Sequence, residues 1–226
     1  MKYDTLYIVS SSIFILGYLI AFFIDHLPLS LRSVGKLLDL FPLSTLRATQ
    51  IMMANRFGAV LFFISSGFLV DIGGSTKYFL LLFSVSWLLL GSISFIYILK
   101  WRNVFTLISK YMFGVAKPEV NIKTINFSIN FTFTNYPFIF NTLGVSIPII
   151  SASIFPEFRA SLLQIGFAFN SIASLLLIFV IEPKFVSHIS NDQTQKADDF
   201  HQELIYSKSI LLLISSLIGF IVFMLY

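Results

Sequence analysis

The chain has 226 residues, 57% of them hydrophobic and 12% charged, with a mean hydropathy of +0.87 and a formal net charge of +4. A soluble domain carries about a quarter charged residues, so half that share, together with 27 phenylalanines, points to an integral membrane protein rather than a large soluble core. The absence of cysteine excludes disulfides, thiolate metal sites and cysteine nucleophiles, and basic residues dispersed over the connecting segments argue against nucleic-acid binding.

A helix crossing about 30 Å of hydrocarbon needs roughly 20 mostly apolar residues, and six runs qualify: 6–24, 51–70, 79–99, 129–154, 160–181 and 209–226. In lipid the backbone groups must be satisfied within the segment, so the runs are expected to be helices. The alternating pattern of a membrane barrel is absent. The expected fold class is all-α: a polytopic integral membrane protein of about six transmembrane helices, forming one membrane domain over residues 1–226.

The first run carries no charge, and no small-residue cleavage site follows it, which favours a span over a removable signal peptide. It ends at Asp25, with Pro28, Ser30, Arg32 and Gly35 beyond. Asp25 and Arg32 are seven residues apart, which places them on one face of a continuous or Pro-bent helix. The plain alternative is that Asp25 caps the membrane edge and Arg32 is an interfacial anchor. Residues 36–50 follow as an amphipathic segment that Pro42 bends or starts.

The second run contains Asn55-Arg56. An arginine at the centre of a span costs about 2.5 to 3.5 kcal/mol on insertion scales. Either it is a functional cation, or the span begins at Arg56 and the side chain snorkels to the interface. A guanidinium suits pyrophosphate, because its planar fork makes paired charge-assisted hydrogen bonds.

The third run closes on Lys100-Trp101-Arg102, and residues 103–114 have the near-helical apolar spacing of a segment lying along the membrane surface. The fourth run is interrupted by Asn135, Pro137, Asn141 and Pro148.

The fifth run opens with Pro156-Glu157-Phe158-Arg159, contains Gln164 and Asn170, and closes on Glu182-Pro183. An amide inside hydrocarbon needs a partner, either a neighbouring helix or a hydrophilic cavity. With Gly166, Ala168, Ser171 and Ala173, this helix is expected to pack inside the bundle and to face Arg56. Glu157 and Arg159 read equally as a local ion pair, and Glu182-Pro183 as a plain helix terminus. Residues 187–208 form the one strongly hydrophilic stretch, where His188 and His201 are expected to be solvated.

Of the 15 lysines and arginines, Arg56 belongs to the second run, Lys2, Lys77 and Arg159 fall on one side of a six-span chain, and the other eleven fall on the opposite side. That bias predicts cytoplasmic first, third and fifth loops. No phosphate-binding glycine loop or hydrolase nucleophile motif is present, and the three histidines make no spaced metal cluster. No enzyme activity, catalytic residue, metal or cofactor is expected.

The Pro-Glu-aromatic-Arg element, the Asn-containing apolar helix and the acidic residue before Pro (Pro156, Glu157, Phe158, Arg159, Asn170, Glu182 and Pro183) resemble the Amj family, the alternate-to-MurJ lipid II flippases. Asp25, Ser30, Arg32 and Gly35 match a second element of that family. The likeness is best over residues 155–192 and recurs over 24–35. It implies a bacterial cytoplasmic-membrane flippase that moves lipid II, the undecaprenyl-diphosphate-linked peptidoglycan precursor, between leaflets, with this glycolipid and membrane lipids as its partners. On that reading Arg32, Arg56 and Asn170 contact the headgroup, and Asp25, Glu157, Arg159 and Glu182 pair with them or gate the path. A flippase for another undecaprenyl-linked glycan, such as an O-antigen or capsule unit, and a non-transporting scaffold for envelope synthesis are the alternatives.

Overall fold

The computed structural model describes residues 2–23, 27–115, 136–190 and 194–226. Nine helices succeed one another among them: α1 (Lys2–Phe23), α2 (Leu27–Leu37), α3 (Phe41–Asp71), α4 (Thr76–Leu99), α5 (Trp101–Phe113), α6 (Tyr136–Ile154), α7 (Arg159–Leu176), α8 (Glu182–Ser190) and α9 (Thr194–Leu225). A 3₁₀ turn, Pro156–Phe158, precedes α7, and a π-helical turn, Leu177–Ile181, joins α7 to α8. Six helical stretches are long and apolar enough to cross a membrane, and among the described residues there is no strand. The chain is therefore an all-α, multi-pass membrane protein.

Two glycines bring α1 and α3 together. A Cβ on Gly17 would stand 2.7 Å from the backbone nitrogen of Phe62, and one on Gly58 2.7 Å from that of Ala21. Only bare backbones fit this crossing, as is common between membrane helices. Around it lies an aromatic core: Phe14 packs 4.8 Å from Phe62 and 5.1 Å from Phe83, ring centre to ring centre. Trp87 Nε1 donates to Tyr18 Oη at 2.9 Å, so the polar tips of the core aromatics satisfy each other. α4 packs along α9, pinned by Ser216 Oγ donating to the Ser84 carbonyl at 2.8 Å.

Pro42 starts a helix rather than bending one. α2 ends at Leu37, Asp39 turns the chain at φ 57°, and α3 opens with Pro42 in its first turn. There the missing N–H is one that has no intrahelical partner anyway. The segment around 103–114 is helical as expected, with Trp101, Phe105 and Ile108 buried and Gly114 at φ 74° closing it.

Two expectations differ from the fold. The hydrophilic stretch does not end in a loop: residues 194–208 form the first half of the 32-residue α9, with Asp198, His201, Gln202 and Lys208 buried. Average hydropathy missed it because the polar groups recur at helical spacing and face other polar groups. The fifth span is not inside the bundle. Only Gly166 and Ala173 of α7 are buried, while Ile165, Phe167, Ile172 and Leu175 face outward. Its small residues admit α6 on one side, where Gly166 approaches Pro148 and Val145, and most of its large apolar ones are exposed.

Candidate functional site

Of the polar residues that mark the fifth run, Glu182 at the far end of its helix lines a candidate site. Pro183 has no N–H, and its ring excludes the carbonyl four residues back. The helix nevertheless continues, because the preceding turn widens: the Glu182 N–H bonds to the Leu177 carbonyl, five residues back. Such π turns insert one extra residue and re-aim the helix beyond them. Glu182-Pro183 is thus a bulge within a long helix, and not a terminus.

The re-aimed Glu182 meets Arg32. Its Oε1 accepts from Arg32 Nη1 at 2.8 Å, with the arginine side chain 11% exposed and the glutamate 28%. Arg32 belongs to α2, whose residues Pro28 to Gly35 are all buried. Arg32 Nε is buried without a hydrogen-bond partner among the described residues, so part of this guanidinium's donor capacity is unused.

Beside the pair lies a groove of about 160 Å³, lined by Pro28, Leu29, Met52, Asn55, Arg56, Ser174, Leu177, Ile178, Ile181 and Glu182. Its walls are the start of α2, the middle of α3 and the π turn. Arg56 is the central residue of the 31-residue α3, about 22 Å along the axis from either end. It is exposed in the groove and makes no ion pair among the described residues. The helix continues for four turns before Arg56, while Gly58 packs against Ala21 near the end of the first apolar run, so Arg56 lies level with the end of that run. Nearer the other end α7 leans on α3, where Phe63 and Phe167 stack with ring centres 3.9 Å apart.

Arg159 is remote from this site. Its Nη1 lies 2.7 Å from Asp71 Oδ1, and both side chains are about half exposed. This pair ties the start of α7 to the end of α3. Glu157 is exposed in the 3₁₀ turn. Asn170 is half-buried and lies outside the groove lining, where Ser174, one turn on, takes the position facing Arg56. Asp25 falls outside the described residues. A second cleft of about 470 Å³ between α6 and α7 is lined almost wholly by apolar residues, among them Phe140, Leu143, Ile147, Ile165 and Phe169.

Behind α2, away from the groove, lies a polar cluster that sequence reasoning missed. Ser30 Oγ lies 2.8 Å from His201 Nε2 and accepts from Tyr97 Oη at 2.7 Å. Asp198 accepts from Ser33 Oγ at 2.9 Å, Gln202 Nε2 at 2.7 Å and Trp101 Nε1 at 3.3 Å. The available signal was the spacing of Asp198, His201, Ile205 and Lys208, which continues the last apolar run's helix toward its N-terminus.

Comparison of the chain with protein-family models, with curated proteins and with solved structures finds no match.

Proposed function

We propose that this chain is a flippase for an undecaprenyl-diphosphate-linked glycolipid of the bacterial cytoplasmic membrane, with lipid II as its substrate. The observation that carries the reading is Arg56: a cation within a long apolar helix, level with the end of the first apolar run, open to a groove and without an ion-pair partner among the described residues. Such a charge is costly in lipid and is expected to face a hydrophilic cavity or a ligand. Among the described residues Arg32, Arg56 and Glu182 give this site two positive charges against one negative, which favours an anion.

A diphosphate matches that chemistry, because guanidinium groups bind its oxygens in pairs. On this reading Arg56 and Asn55 meet the diphosphate as the headgroup enters between α3 and the π turn. Arg32, held by Glu182, supplies a second cation when that pair opens. The isoprenoid chain stays in the bilayer while the head crosses. The likeness to the Amj family in Arg32, Asn170 and Glu182-Pro183 supports the same assignment, and the charge bias supports a cytoplasmic position for the groove's end of the bundle.

The test is functional replacement. In a bacterium depleted of its resident lipid II flippase, expression of this chain is expected to restore growth and outer-leaflet lipid II. Arg56→Gln, inserted at normal levels, is expected to restore neither. Failure of the unaltered, correctly inserted chain would exclude lipid II and leave the other glycan carriers. Rescue by Arg56→Gln equal to the unaltered chain would remove the groove from the mechanism.

A further inference from the structure

We propose that Asp198 and His201 form a proton-binding site in the core, and that its occupancy is coupled through α2 to the Arg32–Glu182 pair. The proton site stands independently of the proposed transport; only the use of the coupling in transport rests on that reading.

Asp198 is 7% exposed and His201 is fully buried. They are three residues apart on α9 and both bond to α2. Among the described residues no lysine or arginine pairs with Asp198. A buried carboxylate without a cation is held either by hydrogen bonds to its charged form or by keeping a proton. Here both forms are accommodated. Three donors, from Ser33, Gln202 and Trp101, satisfy the ionised carboxylate. A hydroxyl both donates and accepts, so Ser33 can turn and accept the proton of the neutral acid. Ser30 stands in the same relation to His201, between the imidazole and the Tyr97 hydroxyl. The Trp101 ring covers the imidazole at 5.0 Å.

His201 lies three residues further along α9, on Ser30 and Trp101, and the titratable groups facing Asp198 are Tyr97 from α4 and Asp199 from α9. α5 faces it with Trp101 and α2 with Ser33, both uncharged, while Arg32 of α2 turns to Glu182. Within four residues α2 therefore presents Ser30 and Ser33 to the titratable cluster and Arg32 to Glu182, which lines the groove. The helix is buried on both sides, and close-packed interiors transmit small shifts rather than absorbing them. A proton at Asp198 changes what Ser33 must do, and α2 carries that change to Arg32.

pH-difference infrared spectroscopy of the purified full-length chain tests this without any ligand. The expected result is a C=O stretching band of a protonated carboxyl that titrates, is lost in Asp198→Asn and is displaced in Ser33→Ala. Where Asp198→Asn fails to insert, the unaltered chain and Ser33→Ala decide the matter. The absence of a band sensitive to either substitution overturns the proton site. Glu182→Gln is expected to move the midpoint of the Asp198 band, and an unmoved midpoint overturns the coupling. Addition of undecaprenyl diphosphate is the separate arm: no binding, with the ligand-free titration as expected, removes the groove reading and leaves the proton site standing.

Discussion

Arg32 and Glu182, 150 residues apart in sequence, are joined at 2.8 Å across the interface between α2 and the π turn. Each is the other's ion-pair partner among the described residues, and neither side chain is more than 28% exposed. Removing one partner of a fully buried pair costs about 3–5 kcal/mol; the partial exposure of Glu182 lowers that here to about 1–3 kcal/mol. Arg32→Gln and Glu182→Gln are each expected to lower the thermal stability of the detergent-solubilised protein. The double variant is expected to lose less than the sum of the two. Strict additivity in the cycle would show that the pair contributes no coupling.

Arg56 has the opposite signature. With no ion pair to break, Arg56→Gln is expected to leave the melting temperature unchanged or raised. Binding of undecaprenyl diphosphate should weaken about 10- to 100-fold, the equivalent of one or two charge-assisted hydrogen bonds. Direct binding to the purified variant measures this. An unchanged dissociation constant would remove Arg56 from the anion site.

Pro183 sets where Glu182 points. Pro183→Ala restores the missing N–H and lets the Phe179 carbonyl accept it, so the π turn can relax to an α turn. Losing the extra residue rotates the two halves of the helix against each other by about 100°. The coupling energy between Arg32 and Glu182 should then fall toward zero in the same double-variant cycle, although neither residue has changed. A coupling energy equal to that of the parent chain would show that packing of α8 alone holds Glu182 in place.

Arg159 and Asp71 make an exposed pair at the other end of the bundle. Exposed pairs contribute about 0–1 kcal/mol, so Arg159→Gln is expected to shift stability by no more than that and to leave diphosphate binding unchanged. A loss of binding comparable to that of Arg56→Gln would restore Arg159 to the headgroup path.

Long, regular patterns carried most of the fold in one dimension. Runs such as 6–24 and 79–99 have no alternative to a helix in lipid, so their presence and type come from composition alone. The amphipathic spacing over 103–114 was equally local. The first half of α9 was not legible by hydropathy, because Asp198, His201 and Lys208 count as polar wherever they are, and only their partners make them core residues. The same limit applies to the fifth span: its small residues announce close packing on one side but not how many sides are packed. α7 packs chiefly against α6 and is otherwise open.

The sequence by itself determined that the chain is an all-helical, multi-pass membrane protein, and it singled out Arg56 as a charge in an unusual place, whereas Arg32 and Glu182 read equally as an interfacial anchor and a plain helix terminus. It did so because desolvation penalises a charge or an open backbone group in hydrocarbon whatever surrounds it. Which charges meet was decided only by tertiary structure. Glu182 pairs with Arg32 and not with its sequence neighbours, because Pro183 forces a wide turn that re-aims it toward α2. Arg56 stays open to the groove between α3 and the π turn, and Asn170 lies outside that groove's lining while Ser174, one turn on, belongs to it. Those outcomes depend on the relative rotation and separation of helices, which packing sets and no local pattern encodes.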